Sequence, residues 1–591
     1  MTTDLAVRPV SPSRTAPRPA AERAATDAML RCWTRETGLP VPLAGSFLSV
    51  PLPSSGVTVV AQVQHRSPVG WHRFGTPHLA DLPLDPVTLV SLLARESRAG
   101  RHAGVSSAGG ASFAGDTGSE PVADLVERAA ESLRRVSVFV AGRQARPDSD
   151  PDGFLDAEQA LLLGHLMHPA PKSRDGISAA EAAAYSPELR GSFPLHWFAA
   201  DSSVVASDTV AGGAAGHDVR ELLAGFAGLD AGGRVLVPAH PWQARDLLER
   251  PAVRGLVEAG LLEPLGPAGP RWYPTSSLRT VYRPGAGVML KLSLGLRITN
   301  SRRENTFTEL IRGAEVHRLL DAGLADEVAA AYPGFRIVRD PAWLAVRTPD
   351  GALTNLDVSV REVPPGIGAA ACLAGLVAPQ PGIAPSRLAS GVRSLAAATA
   401  RPVADVAADW VRRYVDRVLA PMVFLYRTTG VGLEAHQQNT LVVRGDHGWP
   451  TAGWYRDNQG YYLATSGLPR VLELTGAAES SLAVVDDAIV DDRLTYYLLF
   501  NQALAPVGAL GSEGVADESH LLAAVRDGLE AIVARGHDSR SGLVRRWLDA
   551  DTLPCKANFA TRVAGIDEVI APLDAQSVYL QVPNPLREAA R

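Results

Sequence analysis

PTSSLRTVYRPGAGVMLKLSLGLRITNSRRE (residues 274–304) holds two strand-like runs on either side of the turn Pro284-Gly285-Ala286-Gly287. Over 288–299 the residues alternate: Leu290, Leu292, Leu294, Leu296 and Ile298 on one side, Lys291, Ser293, Arg297 and Thr299 on the other. A period of two marks a half-buried strand, here with a basic polar face. The run 276–282 then pairs with it as a hairpin. Downstream, Ser301-Arg302-Arg303-Glu304 fits a capping box, opening a helix with apolar spacing Phe307, Leu310, Ile311 and Ala314. A basic strand face feeding a helix N-terminus suits an anion, because orphan amides and the helix dipole add to the fixed charges. A solvated basic face fits the same pattern.

The chain around this hairpin has 591 residues, too many for one core, so two to four lobes are expected. Net charge is −6 and apolar content 46%, which leaves no electrostatic footprint for nucleic acid or an anionic membrane. Residues 1–27, rich in Ala, Pro, Arg and Ser, lack the apolar core of a signal peptide and read as a disordered tail. No stretch is long and apolar enough to span a bilayer. Cys32, Cys372 and Cys555 are scattered, without a disulfide framework or CxxC site, and the compartment reads as cytoplasm. Of 57 basic residues only Lys172, Lys291 and Lys556 are lysines. In so arginine-biased a chain, surviving lysines point to places that want a compact ammonium.

Organisation follows from composition. Residues 97–120 are Gly/Ser/Ala-rich and read as a loop, with helices at 26–37 and 121–141 around it, so a first lobe ends near 150. A second region opens with a helix at 155–165 and continues through the hairpin to about 365, with a strand at 234–238. The third begins with helices over 403–427, closed by Gly430, and runs helically to the end.

Several chemistries are excluded. No lysine follows a glycine as a Walker A loop needs, no GxSxG elbow occurs, and Gly285-Ala286-Gly287 lacks the rest of a dinucleotide fingerprint. His165 and His168 have no nearby Cys or HExxH partner for zinc, and read as helix-capping groups that hold an anion with Lys172 and Arg174. What remains is His240-Pro-Trp-Gln243, the basic hairpin, Glu434-Ala-His-Gln-Gln-Asn439 and Tyr455-Arg-Asp-Asn-Gln-Gly460. Burying Glu434 and His436 together requires partners or a ligand. Cations, amides and carboxylates in separated segments suit a nucleoside triphosphate with a divalent ion. Trp242 and Gln243 read as fold supports, and His317 as a surface histidine.

The order and wording of these motifs are specific. From GHLMHPAPKSRDG (164–176) and YSPEL (185–189), through HPWQ, PTSSLRTVY and KLSLGLRITNSRR, to EAHQQN, RDNQG and CKANFATR (555–562), the sequence resembles the IucA/IucC-type siderophore synthetases that work without a nonribosomal peptide synthetase. The likeness covers about the last three quarters of the chain.

The resemblance implies an α+β fold shaped as a cupped hand: a thumb over 28–150, fingers with an antiparallel sheet over 151–365, and a largely helical palm over 366–591. It implies ATP and Mg²⁺, adenylation of a polycarboxylic acid such as citrate, and capture by an amine or amino alcohol to give an amide or ester. Ser277, Arg279, Thr280 and Lys291 would grip phosphates, with His168 and Lys172 assisting. Arg303 would serve the α-phosphate and the polyacid. His436 and Asn439 would touch the nucleotide, and Glu434 and Asp457 would hold the metal. Arg303, His436, Thr299, Arg174 and Lys556 would meet the polyacid. The catalytic set is then Arg303, His436 and Lys291. A homodimer is common among such enzymes. Citrate monoamide, 2-oxoglutarate or a succinylated hydroxamate are alternative substrates. A non-catalytic siderophore carrier is the alternative from another class, disfavoured because a carrier has no use for metal–phosphate ligands.

Overall fold

The hairpin forms with Thr280 opposite Lys291 and Val281 opposite Leu290 in a computed structural model of the chain. The structure describes residues 16–99, 120–150, 152–210, 218–299, 301–475, 481–566 and 576–588. The strands Thr280–Tyr282 and Val288–Leu292 sit inside an eight-stranded sheet whose pairings are antiparallel throughout. One face buries Leu290, Leu292, Val358, Trp197 and Trp272, and the polar face carries Lys291 across from Ser359. The alternation of apolar and polar residues is therefore also the partition between core and site.

That alternation does not make one continuous strand. The chain leaves the sheet at Ser293, and Leu294–Ile298 pairs instead with Ser301–Arg303. The cause is local: the Ser293 hydroxyl donates to Asp357 (2.7 Å) and accepts from the Asn305 amide (2.8 Å), while the Gly295 amide donates to Gln243 (2.6 Å). Leu294 and Leu296 then pack with Leu278 and Ile177 in a small separate core. The capping box lies later than its sequence signature suggested. Thr306 caps the helix Phe307–Asp321, accepting from the Glu309 amide while Glu309 accepts from the Thr306 amide. Arg303 is thus on a strand rather than at a helix start.

Other expectations are revised. Residues 17–27 are not tail: Pro17, at the first helical position where its missing N–H costs nothing, opens the helix Pro17–Thr37. Residues 1–15 and most of the expected loop, 100–119, lie outside the described residues, while Ser97 and Arg98 end the helix Pro86–Arg98. The helix expected at 155–165 spans only Gly153–Glu158, after which the left-handed Gly164 and nearby prolines turn the chain. His317 is buried, with Nε2 3.2 Å from Asp321, rather than at the surface.

The C-terminal half is mainly helical, α+β overall as expected. The helix at 403–429 passes through a π-helical segment, Val415–Leu419, and closes on left-handed Gly430. A second π-helical segment, Thr495–Ala503, brings Tyr496, Tyr497, Phe500 and Asn501 to the wall of the main cavity. The largest core runs from Met29 to Leu586, so the N-terminal helices and the C-terminal half share it, for example where Trp33 meets Phe559 edge-on at 5.9 Å. Among the described residues no helix is long and apolar enough to cross a membrane.

Candidate active site

A tight loop precedes the hairpin. The Thr275 amide donates to the Thr280 carbonyl (2.9 Å), and Ser277 Oγ accepts from the Thr280 amide (3.1 Å). Closing it forces Leu278 to φ +64°, unfavourable for a leucine, and the buried Leu278 side chain in its own small core holds the loop there. Beneath it lies Glu158, fully buried, accepting from both the amide (2.9 Å) and the hydroxyl (2.7 Å) of Ser276. Its other oxygen is 2.8 Å from the Arg456 guanidinium, and Gln438 donates to Ser276 Oγ (3.0 Å). One carboxylate thus ties the loop to the C-terminal half.

Along the polar face, Arg279 donates to Asn305 Oδ1 (2.7 Å) and to the Arg303 carbonyl (3.1 Å). Lys291 Nζ donates to Asp457 (2.9 Å) and Gln459 (2.6 Å). Burial lowers the affinity of the Lys291 amine for its proton, and Asp457 opposes that shift. Burial would raise the Asp457 carboxyl, but Lys291 and Arg361 hold it well below the usual range. Asp457 sits at φ +109° and Thr299 at φ +53°, and such strained non-glycine residues collect at functional sites.

The 434–439 segment makes one turn, with the Asn439 and Thr440 amides both donating to the His436 carbonyl. His436 Nδ1 accepts from the Gln438 amide (3.2 Å), and the Asn439 amide group lies 3.2 Å from Nε2. Burial first, then Lys556, Arg456 and Arg303, push the imidazole down to about 4 against the pull of Asp457, so it is neutral near pH 7. Glu434 accepts from the Tyr462 hydroxyl (3.2 Å), and its amide donates to the Gly460 carbonyl, next to the Asp457 loop.

One cavity of about 390 Å³ is lined by Ser277, Arg279, Thr280, Lys291, Thr299 and Arg303 from the sheet side and by Glu434, His436, Asn439, Asp457 and Lys556 from the C-terminal half. His168, Lys172 and Arg174 line it as well, so the residues that the resemblance implied for nucleotide, polyacid and metal share one cavity, while HPWQ and YSPEL contribute none of its lining. Lys172 and Arg174 are committed, however. Both contact Glu188 Oε1, Arg174 at 2.5 Å, and Arg174 also donates to Ser186 (2.8 Å). Burial would raise Glu188, but Arg174 and Lys172 hold it at about 2. His165 and His168 each accept a backbone amide through Nδ1, consistent with turn capping. Gln243 and Trp242 brace backbone carbonyls at Asn355 and Gly176, as their reading as supports anticipated.

Glu158, Arg361, Gln459 and Gln438 were missed. Gln438 and Gln459 stand inside EAHQQN and RDNQG. Arg361 belongs to the alternation Asp357, Ser359, Arg361 on the neighbouring strand, a signal as clear as that of Lys291. Glu158, in GFLDAE, carries no periodic signal.

Comparison with known proteins agrees with this geometry. The IucA / IucC family model matches residues 153–378, and that of the ferric iron reductase FhuF-like transporter matches 408–570. The rhizobactin siderophore biosynthesis protein RhbC of Rhizobium meliloti is 41% identical, over 79% of this chain and 82% of that protein. Spermidine-citrate ligase of Bacillus anthracis is 34% identical, over 96% and 98%. The ATP-bound aerobactin synthetase IucA of Klebsiella pneumoniae superposes with a TM-score of 0.81 at 26% identity, over 95% of this chain and 99% of that one. A cavity that gathers cations from a sheet and amides and acids from a helical half is, with these relatives, that of an ATP-dependent ligase. The chain belongs to the IucA/IucC family of siderophore synthetases that work without a nonribosomal peptide synthetase.

Proposed function

We propose that the enzyme activates a carboxylate of free citrate as an acyl-adenylate and transfers the citryl group to an amine, forming an amide. The observation that carries this reading is the junction at Lys291, where a hairpin cation meets Asp457 and Gln459 of the opposite half inside one cavity. The Bacillus anthracis relative is named for joining an amine to citrate, which supports the substrate class. The need for ATP supports the cytoplasm as the compartment of this reaction.

A citrate carboxylate oxygen attacks the α-phosphorus, and the bond from that phosphorus to pyrophosphate breaks. Negative charge grows on the phosphate oxygens, so prepositioned Arg279, Lys291 and Arg303 lower the barrier. Ser277 and Thr280 supply short donors in a loop already strained into shape. His436, neutral, acts as a hydrogen-bonding group between nucleotide and polyacid. The amine lone pair then attacks the acyl carbon, the bond to AMP breaks, and one proton leaves to water. Arg174, Lys172, His168, Thr299 and Lys556 form the wall facing the polyacid.

Glu434 and Asp457 are the carboxylates that would hold Mg²⁺. The donor set fits. Two carboxylates on one cavity wall suit an ion that takes most of its ligands from substrate phosphates and water, the usual arrangement for Mg²⁺. When bound, Mg²⁺ neutralises phosphate charge and orients the triphosphate. The test is product analysis with hydroxylamine as acyl acceptor. Citrate-dependent release of AMP and pyrophosphate is expected; release of ADP and phosphate rejects adenylation.

A further inference from the structure

The amine must reach the acyl carbon from a side that the ATP and polyacid groups leave open. The same cavity has a further wall, made of Trp71, Leu161, Leu166, Met167 and Phe500 with Arg35 among them. Contacts link this wall to the reacting turn: the Gln437 amide donates to Asn501 Oδ1 (2.9 Å), Asn501 meets His165 Nε2 (3.0 Å), and Asn558 donates to the Met167 carbonyl (2.7 Å). It therefore adjoins His436 through Gln437.

Arg35 is built into this wall. Its Nη2 donates to the Val69 carbonyl (2.8 Å), and its guanidinium lies 5.9 Å from the Phe500 ring centre. A Cβ on Gly70 would fall 2.4 Å from Nη2, so the arginine occupies space that only a glycine leaves. Trp71 is seated likewise, with its indole against Gly508. Among the described residues lining the cavity the acids are Glu434 and Asp457, both on the loops that face the phosphate cluster. Glu36, the acid next to Arg35 in the chain, feels that guanidinium but does not line the cavity and accepts from the Phe559 and Ala560 amides (2.8 Å each). A second ammonium on the nucleophile would meet apolar side chains and a guanidinium, with no cavity-lining carboxylate to offset its desolvation.

We propose that this wall is the nucleophile subsite and that it selects a primary monoamine whose far end carries an oxygen acceptor read by Arg35, against diamines and polyamines. The proposal rests on the citryl-transfer reading above. The aromatic and aliphatic side chains cover the methylene body of the amine, and Arg35 meets the terminal oxygen. A polyamine, such as that for which the Bacillus anthracis relative is named, would bring a second cation to the same guanidinium.

The test is a matched set of amines with saturating ATP, magnesium and citrate: 6-aminohexanoate, 5-aminopentanol and 1,5-diaminopentane. Wild-type enzyme is first checked for hydroxylamine-trapped citryl transfer; failure at that step rejects the proposed function and not this inference alone. With that step passed, kcat/KM for the carboxylate and hydroxyl tails should exceed that for the diamine by at least ~10-fold, the order of one charge contact. Arg35→Glu should invert the ranking, and Arg35→Gln should collapse the gap between carboxylate and ammonium tails. Reading ratios within each variant separates specificity from any loss of folding. A wild-type preference for the diamine, or variants that scale all three amines equally, overturns the proposal.

Discussion

Two groups of buried cations face the same cavity and are wired in opposite ways. Lys291 is paired with Asp457, an acid that itself lines the cavity. Lys172 and Arg174 share Glu188, which stands behind the wall and is 1% exposed. In the proposed reaction an incoming phosphate would take over Lys291 and release Asp457 to the metal, which would make the first pair a placeholder for ligand. The second is a permanent brace with one cation in excess, able to attract a polyacid by its field but not to be dismantled by it. The difference teaches that lining a cavity does not tell a gripping residue from a supporting one; where the counter-ion sits does.

Breaking the brace gives the largest expected effect. Glu188→Ala leaves two buried cations unpaired, and losing one partner of a buried pair costs about 3–5 kcal/mol. A large fall in the thermal or urea midpoint is expected, with activity lost only as the fold is lost. If Glu188→Ala keeps its midpoint and loses citrate affinity, the two groups are alike and the contrast is wrong. Lys291→Ala comes next: a loss of roughly 10²–10³ in citrate-dependent pyrophosphate release, the scale of one prepositioned donor. Its midpoint should fall less than that of Glu188→Ala.

Glu158 sharpens the comparison from a third position, since it belongs to the brace type but serves the gripping loop. Glu158→Gln keeps an acceptor for Ser276 and loses the charge that holds Arg456. As a positioning residue it should raise KM for ATP by about tenfold, a contribution of about 1.4 kcal/mol, and leave kcat nearly unchanged. A fall confined to kcat would instead put Glu158 in the chemistry.

How much of this was legible depended on which signals are periodic. The hairpin and the polar direction of Lys291 follow from the alternation and the turn, whereas the register and the short first strand, Thr280–Tyr282, do not. The scarcity of lysine singled out Lys172, Lys291 and Lys556, and all three line the cavity. The break at Ser293 was not legible, because it depends on Asp357 and Asn305, distant partners that leave the local alternation intact. Glu158 was invisible for the same reason, being one acid in a short helix whose partners lie 118 residues on at Ser276 and farther still at Arg456. The helix at Pro17 was masked by a composition typical of tails, although proline at a first helical position is itself a start signal. That Lys172 and Arg174 are spoken for could have been suspected from YSPEL, whose glutamate is the acid of that motif.

His436 provides the smallest effect and tests whether the gripping region works with a neutral imidazole. Its folded value of about 4 lies below the ordinary 6.5, so the unfolded chain binds the extra proton first. The contribution is therefore fully present above pH 6.5 and is lost as pH falls toward 4. At pH 5.0 the loss relative to pH 7.5 amounts to about 2 kcal/mol from this group. His436→Gln cannot titrate there, so urea unfolding at the two pH values should show the variant losing about 2 kcal/mol less than wild type. Across pH 6–8, kcat/KM of the wild type should show no inflection assignable to His436. Equal acid losses in both proteins, or an inflection near 6.5 that disappears in the variant, would mean that the ring is charged when the enzyme works, making it one more cation of the phosphate grip.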